Sequence, residues 1–203
     1  MITVLIVCGL VVHNLLTNLW FSDRWYVPVN LATAAFLVVM VGCPGRVAGW
    51  AVGAAGALVV LLVIALVAVV RPPLLADQRM AGVDARGTAW RALVRIPLGT
   101  VVLEEVAFRG VLPALVSPVG AAGLFGLWHV LPTLRTLDVN GLRRPAWVVG
   151  GAVVGTAAVG LVFSGLVAAT GSLLAPAMVH VAANSGATVA AYVVLRCGRS
   201  MWG

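Results

Sequence analysis

Apolar residues run along this chain in long blocks. Seven blocks stand out, at roughly residues 2–20, 27–43, 47–70, 97–116, 118–137, 146–169 and 172–195. A helix needs about 20 apolar residues to cross the hydrocarbon core of a bilayer, and the blocks are close to that length. Lipid offers the backbone no hydrogen-bonding partner, so each block is predicted to be a helix. The pattern therefore predicts an all-α fold, a polytopic transmembrane helix bundle of about seven spans. Tyr26, Trp50, Trp90 and Trp147 fall near block ends, where aromatic anchors belong. Met1 to Trp20 has no basic start and no small-residue cleavage site, so it reads as a first span and not as a leader.

The longest interruption is Arg71 to Ile96. It opens on two prolines and carries Asp77, Arg79, Asp84, Arg86, Arg91 and Arg95. Within it, GTAWRALVRI mixes Trp90, Leu93 and Val94 with Arg91 and Arg95, the pattern of a short amphipathic helix at the membrane interface. Pro97 then suits the first turn of the fourth span, where its missing N–H costs nothing. Three regions follow: scaffold spans over 1–70, a cytoplasmic loop and interfacial helix over 71–96, and a catalytic transmembrane core over 97–196.

Composition agrees with a membrane chain. The 203 residues are 62% hydrophobic and 9% charged, unlike a soluble domain. The net charge is +7 and every basic residue is arginine. In a soluble protein this would point to nucleic acid. Here most arginines flank spans, so they read as topology signals and anionic-lipid contacts, and no nucleic-acid partner is expected. Arg24, Arg71, Arg79, Arg86, Arg91, Arg95, Arg135, Arg143, Arg144, Arg196 and Arg199 fall on one side of the seven-span arrangement, and Arg46 on the other. The positive-inside rule then puts the C-terminus in the cytoplasm. The lysine-free, Ala/Val/Gly/Arg-rich composition points to a GC-rich bacterial genome and a bacterial cell membrane. Cys8, Cys43 and Cys197 form no metal or redox pattern.

Ionisable side chains inside a span are costly, about 2.5–3.5 kcal/mol for Asp, Lys or Arg at a helix centre. The few that are kept are Glu104, Glu105, Arg109, His129, His180 and His13, with Asn184 as a neutral addition. Glu105 and Arg109 are four apart, share a helix face and can pair. Glu104 points about 100° away, which leaves it free to face a cavity. Phe125 and His129 share a face of the fifth block, as do His180 and Asn184 in the seventh. At about 1.5 Å per residue, these groups can meet in the cytoplasmic half or middle of the bilayer.

A carboxylate, two imidazoles and an amide around one wet cavity suit hydrolysis. Glu104 can take a proton from water while His129 orients that water. His180 and Asn184 can donate to a developing oxyanion. Equally, Glu104, His129 and His180 can hold Zn²⁺ with a water in the fourth position. The spacing serves both schemes, although no HExxH is present.

The stretches EEVAFRG, FGLWH and HVAAN fit the motifs EExxxR, FxxxH and HxxxN, in that order. With them the chain resembles the CAAX protease and bacteriocin-processing family of intramembrane proteases, also called Abi or type II CAAX prenyl endopeptidase-like. The resemblance covers roughly residues 88–195. It implies endopeptidase activity within the membrane on a membrane-associated protein or peptide. It places Glu104, His129, His180 and Asn184 in the catalytic centre, with Glu105, Arg109 and Phe125 as supporting motif residues. Family members are often described as metalloproteases, but a glutamate-activated water without metal is favoured for the archaeal and eukaryotic branch. The metal-free form is preferred here, with no cofactor and Zn²⁺ as the alternative. The prenylated substrate belongs to the eukaryotic branch and is not carried over.

Other functions compete. A scaffold or immunity protein of the same fold would show a damaged motif, and all three are intact. A small proton-coupled transporter would show internal repeats, and none is evident. Ser164 and Ser185 lack a Gly-x-Ser-Gly setting, and all four aspartates lie outside the apolar blocks. His13 and Asn14 read as helix–helix hydrogen bonding. Gly53, Gly56, Gly151, Gly155, Gly160 and Gly165 read as close-packing positions between helices.

Overall fold

The computed structural model describes residues 1–43, 47–143 and 145–202, with side chains as far as Cys197. Arg46 and Arg144 lie outside the described residues, as does the side chain of Arg199. The described residues are mostly helical, with no strand among them.

Helices α1 (Ile2–Leu19), α2 (Asp23–Val41) and α3 (Trp50–Val70) are followed by two 3₁₀ turns, Pro72–Leu75 and Gln78–Met80. Next comes a long helix, α4, over residues 85–116. It begins as Ala85–Trp90, widens to π-helix over Arg91–Val101, tightens over Val102–Glu105, widens again over Val106–Val111 and ends as Leu112–Val116. The remaining helices are α5 (Pro118–Trp128), α6 (Val130–Val139), α7 (Ala146–Thr170) and α8 (Leu174–Trp202).

Among the described residues five helices are long and apolar enough to cross a membrane: α1, α2, α3, α7 and residues Leu174–Cys197 of α8. Their outer faces carry exposed Leu and Val side chains, including Leu58, Leu62, Leu66 and Val162. Such a surface is stable in lipid and not in water. This is a membrane protein.

Among the described residues these five match five of the seven expected blocks, and the fourth and fifth blocks take other forms. The predicted interfacial helix and fourth span are one element, because α4 passes residue 96 without a break. Asp84 starts it, accepting the amide of Gly87 at 2.7 Å, as an N-cap does. Pro97 is therefore inside a helix and not at its first turn. The π-widening accommodates a residue that cannot donate to the preceding turn.

The fifth block is two helices, because Pro132 has no N–H for the carbonyl of Trp128. The break falls at His129, whose amide bonds Gly126 O at 3.1 Å. A hydropathy window averages over such a break.

The core lies where α1, α2, α4 and α5 meet, around Leu10, Leu37, Leu103, Phe108, Val111, Leu112 and Phe125. Helix α8 packs along α3, and α5 along α7. Glycines set these approaches only in part. A Cβ on Gly53 would come within 2.9 Å of Ala175 Cα, one on Gly56 within 2.7 Å of Val179, and one on Gly160 within 3.2 Å of Phe125. Gly151, Gly155 and Gly165 meet nothing within 4 Å, so the packing role expected for them is corrected. They lie on a face of α7 that no other described helix covers. The close contact of α5 with α7 is made by Gly126, whose added Cβ would stand 2.5 Å from Val153 O.

Candidate active site

The charged residues of α4 meet α8 in the interior. Glu104, Glu105, Arg109 and His180 are 6%, 2%, 3% and 5% exposed, so their mutual contacts replace solvent. Arg109 Nη1 lies 3.3 Å from Glu105 Oε1, the ion pair that the four-residue spacing predicts. The guanidinium also stacks 3.9 Å from the Phe125 ring and 5.0 Å from that of Phe163. A buried arginine is tolerable here because one carboxylate and two ring faces receive it.

His180 stands between the two glutamates. Its Nδ1 donates to Glu105 Oε1 at 2.7 Å, and its Nε2 is 3.5 Å from Glu104 Oε2. The 100° between adjacent helical residues does not separate the two carboxylates. It sends them to opposite nitrogens of one imidazole, which presents Nε2 to Glu104 as a donor when protonated and an acceptor when neutral.

Glu104 has a further partner that the motifs do not announce. Trp128 Nε1 donates to Glu104 Oε1 at 3.0 Å. Glu104 Oε2 forms no hydrogen bond to the described residues. The signal available in sequence was position alone, since Trp128 sits inside FGLWH next to the motif histidine. Phe163 was also missed; its ring lies 5.5 Å from that of His180.

His129 sits at the α5–α6 break. Because its amide bonds Gly126 O, the Phe125 carbonyl is free to accept from His129 Nδ1, at 2.8 Å. A carbonyl only accepts, so Nδ1 carries the proton and Nε2 is left with its lone pair in the neutral ring. The ring packs edge-on against Phe125, with centroids 4.6 Å apart. Phe125 thus touches Phe108, His129, His180 and Arg109 at once. It is a buried hub, 3% exposed, and does not line the cavity at Glu104.

A cavity of about 970 Å³ reaches from the 72–80 turns down to Glu104. Glu104, Trp128, His129 and Asn184 line it, with Tyr26, Asn30, Thr100, Arg95 and Thr188. Three of the four residues read as catalytic thus share this cavity. The fourth, His180, lies behind Glu104. No direct hydrogen bond among the described residues joins His129 to Glu104.

The zinc alternative has a geometric requirement. Among the described residues no three His, Cys, Asp or Glu side chains are gathered as a metal ion needs. Glu104 Oε1 and His180 Nδ1 are also engaged elsewhere, so the donor set does not fit the ion.

The other polar side chains of the spans have ordinary partners. Ser185 Oγ donates to Ala92 O at 2.7 Å and Ser164 Oγ to Gly160 O at 3.0 Å. His13 bonds Asn30 and Thr33 of α2. Cys8 and Cys43 are free thiols.

The family model described as Type II CAAX prenyl endopeptidase Rce1-like matches residues 86–186. No curated protein and no solved structure matches the chain. The matched stretch holds all three motifs and runs from the start of α4 into α8, and it makes residues 86–186 a domain of the Rce1-like family.

Proposed function

We propose that this protein is an intramembrane endopeptidase that hydrolyses peptide bonds of membrane-associated proteins or peptides. One observation carries the reading: Glu104 stands at the cavity wall with one oxygen held by Trp128, while the other, 3.5 Å from His180 Nε2, has no hydrogen bond to the described residues. A carboxylate so placed suits a general base. Glu104 takes a proton from water, and the water oxygen bonds to the scissile carbonyl carbon as the C=O electron pair moves to oxygen. The C–N bond then breaks, and the proton held by Glu104 goes to the leaving nitrogen.

His129, with Nδ1 tied to Phe125 O, offers Nε2 to orient the water. Asn184 lines the same cavity and donates its amide to the oxyanion. The position of His180 supports a role behind the carboxylates, orienting Glu104 and Glu105, in place of the oxyanion contact expected from sequence. No step requires a metal. The arginine distribution and composition support a bacterial cell membrane with the C-terminus in the cytoplasm.

The test is a survey of cleavage in proteoliposomes. Acylated and transmembrane peptides are incubated with wild type and with Glu104→Gln, and new termini are found by mass spectrometry. Termini made by wild type and absent with Glu104→Gln are expected. Termini made equally by both would refute the reading.

A further inference from the structure

We propose that Trp128 is a positioning residue for Glu104 and that α1, through Asn14, holds it in place. The proposal rests on the reading of Glu104 as the reacting carboxylate. It adds a helix outside residues 86–186 to the functional unit.

The chain of contacts begins in the sequence. Pro132 cannot donate to the carbonyl four residues back, so the Trp128 carbonyl is left over inside the bundle. A carbonyl without a partner is costly in a membrane interior. Asn14 Nδ2 supplies the bond, at 2.9 Å. Asn14 is 7% exposed, and its own carbonyl takes Thr17 Oγ1 at 3.3 Å and Asn18 Nδ2 at 2.9 Å.

The Trp128 ring is held from two sides as well. His13 of α1 stacks on it at 6.3 Å with planes 13° apart, and Phe108 of α4 meets it edge-on at 5.4 Å. Backbone and ring are thus fixed separately, and the indole N–H has one acceptor, Glu104 Oε1. Fixing Oε1 aims Oε2. The Asn14 bond therefore does more than join two helices, which is how sequence alone reads it.

The groups around Glu104 that carry or can carry charge are Glu105 and Arg109 on its own helix, His180 on α8, His129 beyond Trp128, and Tyr26 and Arg95 at the cavity. Trp128→Phe leaves all of them in place and removes one donor.

The experiment is infrared spectroscopy of the Glu104 carboxyl in detergent at one fixed pH, its bands assigned by their loss in Glu104→Gln. A carboxyl oxygen that loses a hydrogen-bond donor changes its stretching frequency, so the bands are expected to move in Trp128→Phe, and to move or broaden in Asn14→Leu, which keeps the indole but frees its backbone. Where peptide cleavage is measured, kcat should fall about tenfold or more with KM within about twofold. Unmoved bands in both variants overturn the proposal. Cleavage that survives Glu104→Gln overturns the endopeptidase reading instead, and the spectra still decide the positioning claim. Should Trp128→Phe fail to fold, Asn14→Leu carries the same test.

Discussion

His180 Nδ1 donates to Glu105 Oε1 at 2.7 Å, and this bond joins α8 to the buried ion pair of α4. Glu105 thereby serves two cationic or donor partners, Arg109 and His180, while being 2% exposed. These contacts tie it to both α4 and α8, and that separates it from its neighbour Glu104.

Glu105→Ala should therefore destabilise the fold strongly. It leaves Arg109 buried with ring faces alone and takes the acceptor from His180. Removing one partner of a buried pair costs about 3–5 kcal/mol. Glu104→Gln keeps the volume and an acceptor for Trp128, and should change stability by under about 1 kcal/mol. Unfolding in mixed detergent micelles measures both.

Pro132→Ala should restore a backbone donor to the Trp128 carbonyl. The new amide competes with Asn14, and the break at His129 closes toward regular helix. Hydrogen exchange should show the amide of residue 132 protected. Peptide cleavage should fall about tenfold or more as His129 leaves the cavity, with stability unchanged or raised.

Gly126 and Gly155 should respond oppositely to alanine. A Cβ on Gly126 meets the Val153 carbonyl at 2.5 Å, and forcing α5 away from α7 should cost about 1–3 kcal/mol. A Cβ on Gly155 meets nothing within 4 Å, so Gly155→Ala should be neutral or stabilise by up to about 1 kcal/mol. The same unfolding assay distinguishes them.

Asp77 gives the turns outside the bundle a pH dependence. Burial pushes its carboxyl upward, but hydrogen bonds and charge from Arg79, with a bond from Asn140, outweigh burial and hold it below the usual value. A lowered value in the folded state means that the contact stabilises above the unfolded value and is lost as pH falls through the folded one. The Asp77–Asn140 bond, 3.1 Å long, ties these turns to the end of α6. A spin label at the exposed Leu74 should gain mobility as pH drops from about 6 to below about 4. In Asp77→Ala it should be mobile throughout.

Much of this arrangement is legible in the sequence, and what is missed has definite causes. Four-residue spacing gives the Glu105–Arg109 pair because i,i+4 contact survives the widening of the helix over Val106–Val111. The helical character of every block follows from apolar length alone. The break at His129 was not read, though Pro132 was in plain view, because hydropathy is blind to a missing N–H. The joining of the interfacial helix to the fourth block was hidden by Pro97, which reads as a helix start and lies instead in a π-widened turn. Trp128 was passed over because an indole in an apolar block reads as packing. Its N–H matters only once the break turns it toward Glu104. His180 was given a cavity-facing role from sequence, since helical phase on α4 alone does not show which imidazole nitrogen each carboxylate meets.

The central claim is that Glu104 is the reacting carboxylate. The most direct measurement is single-turnover cleavage of a membrane-associated peptide by wild type and Glu104→Gln in proteoliposomes, at matched folded protein. A general base contributes about 10²–10⁴-fold, so the variant should be slower by at least about a hundredfold. Cleavage by Glu104→Gln at the wild-type rate would contradict the account.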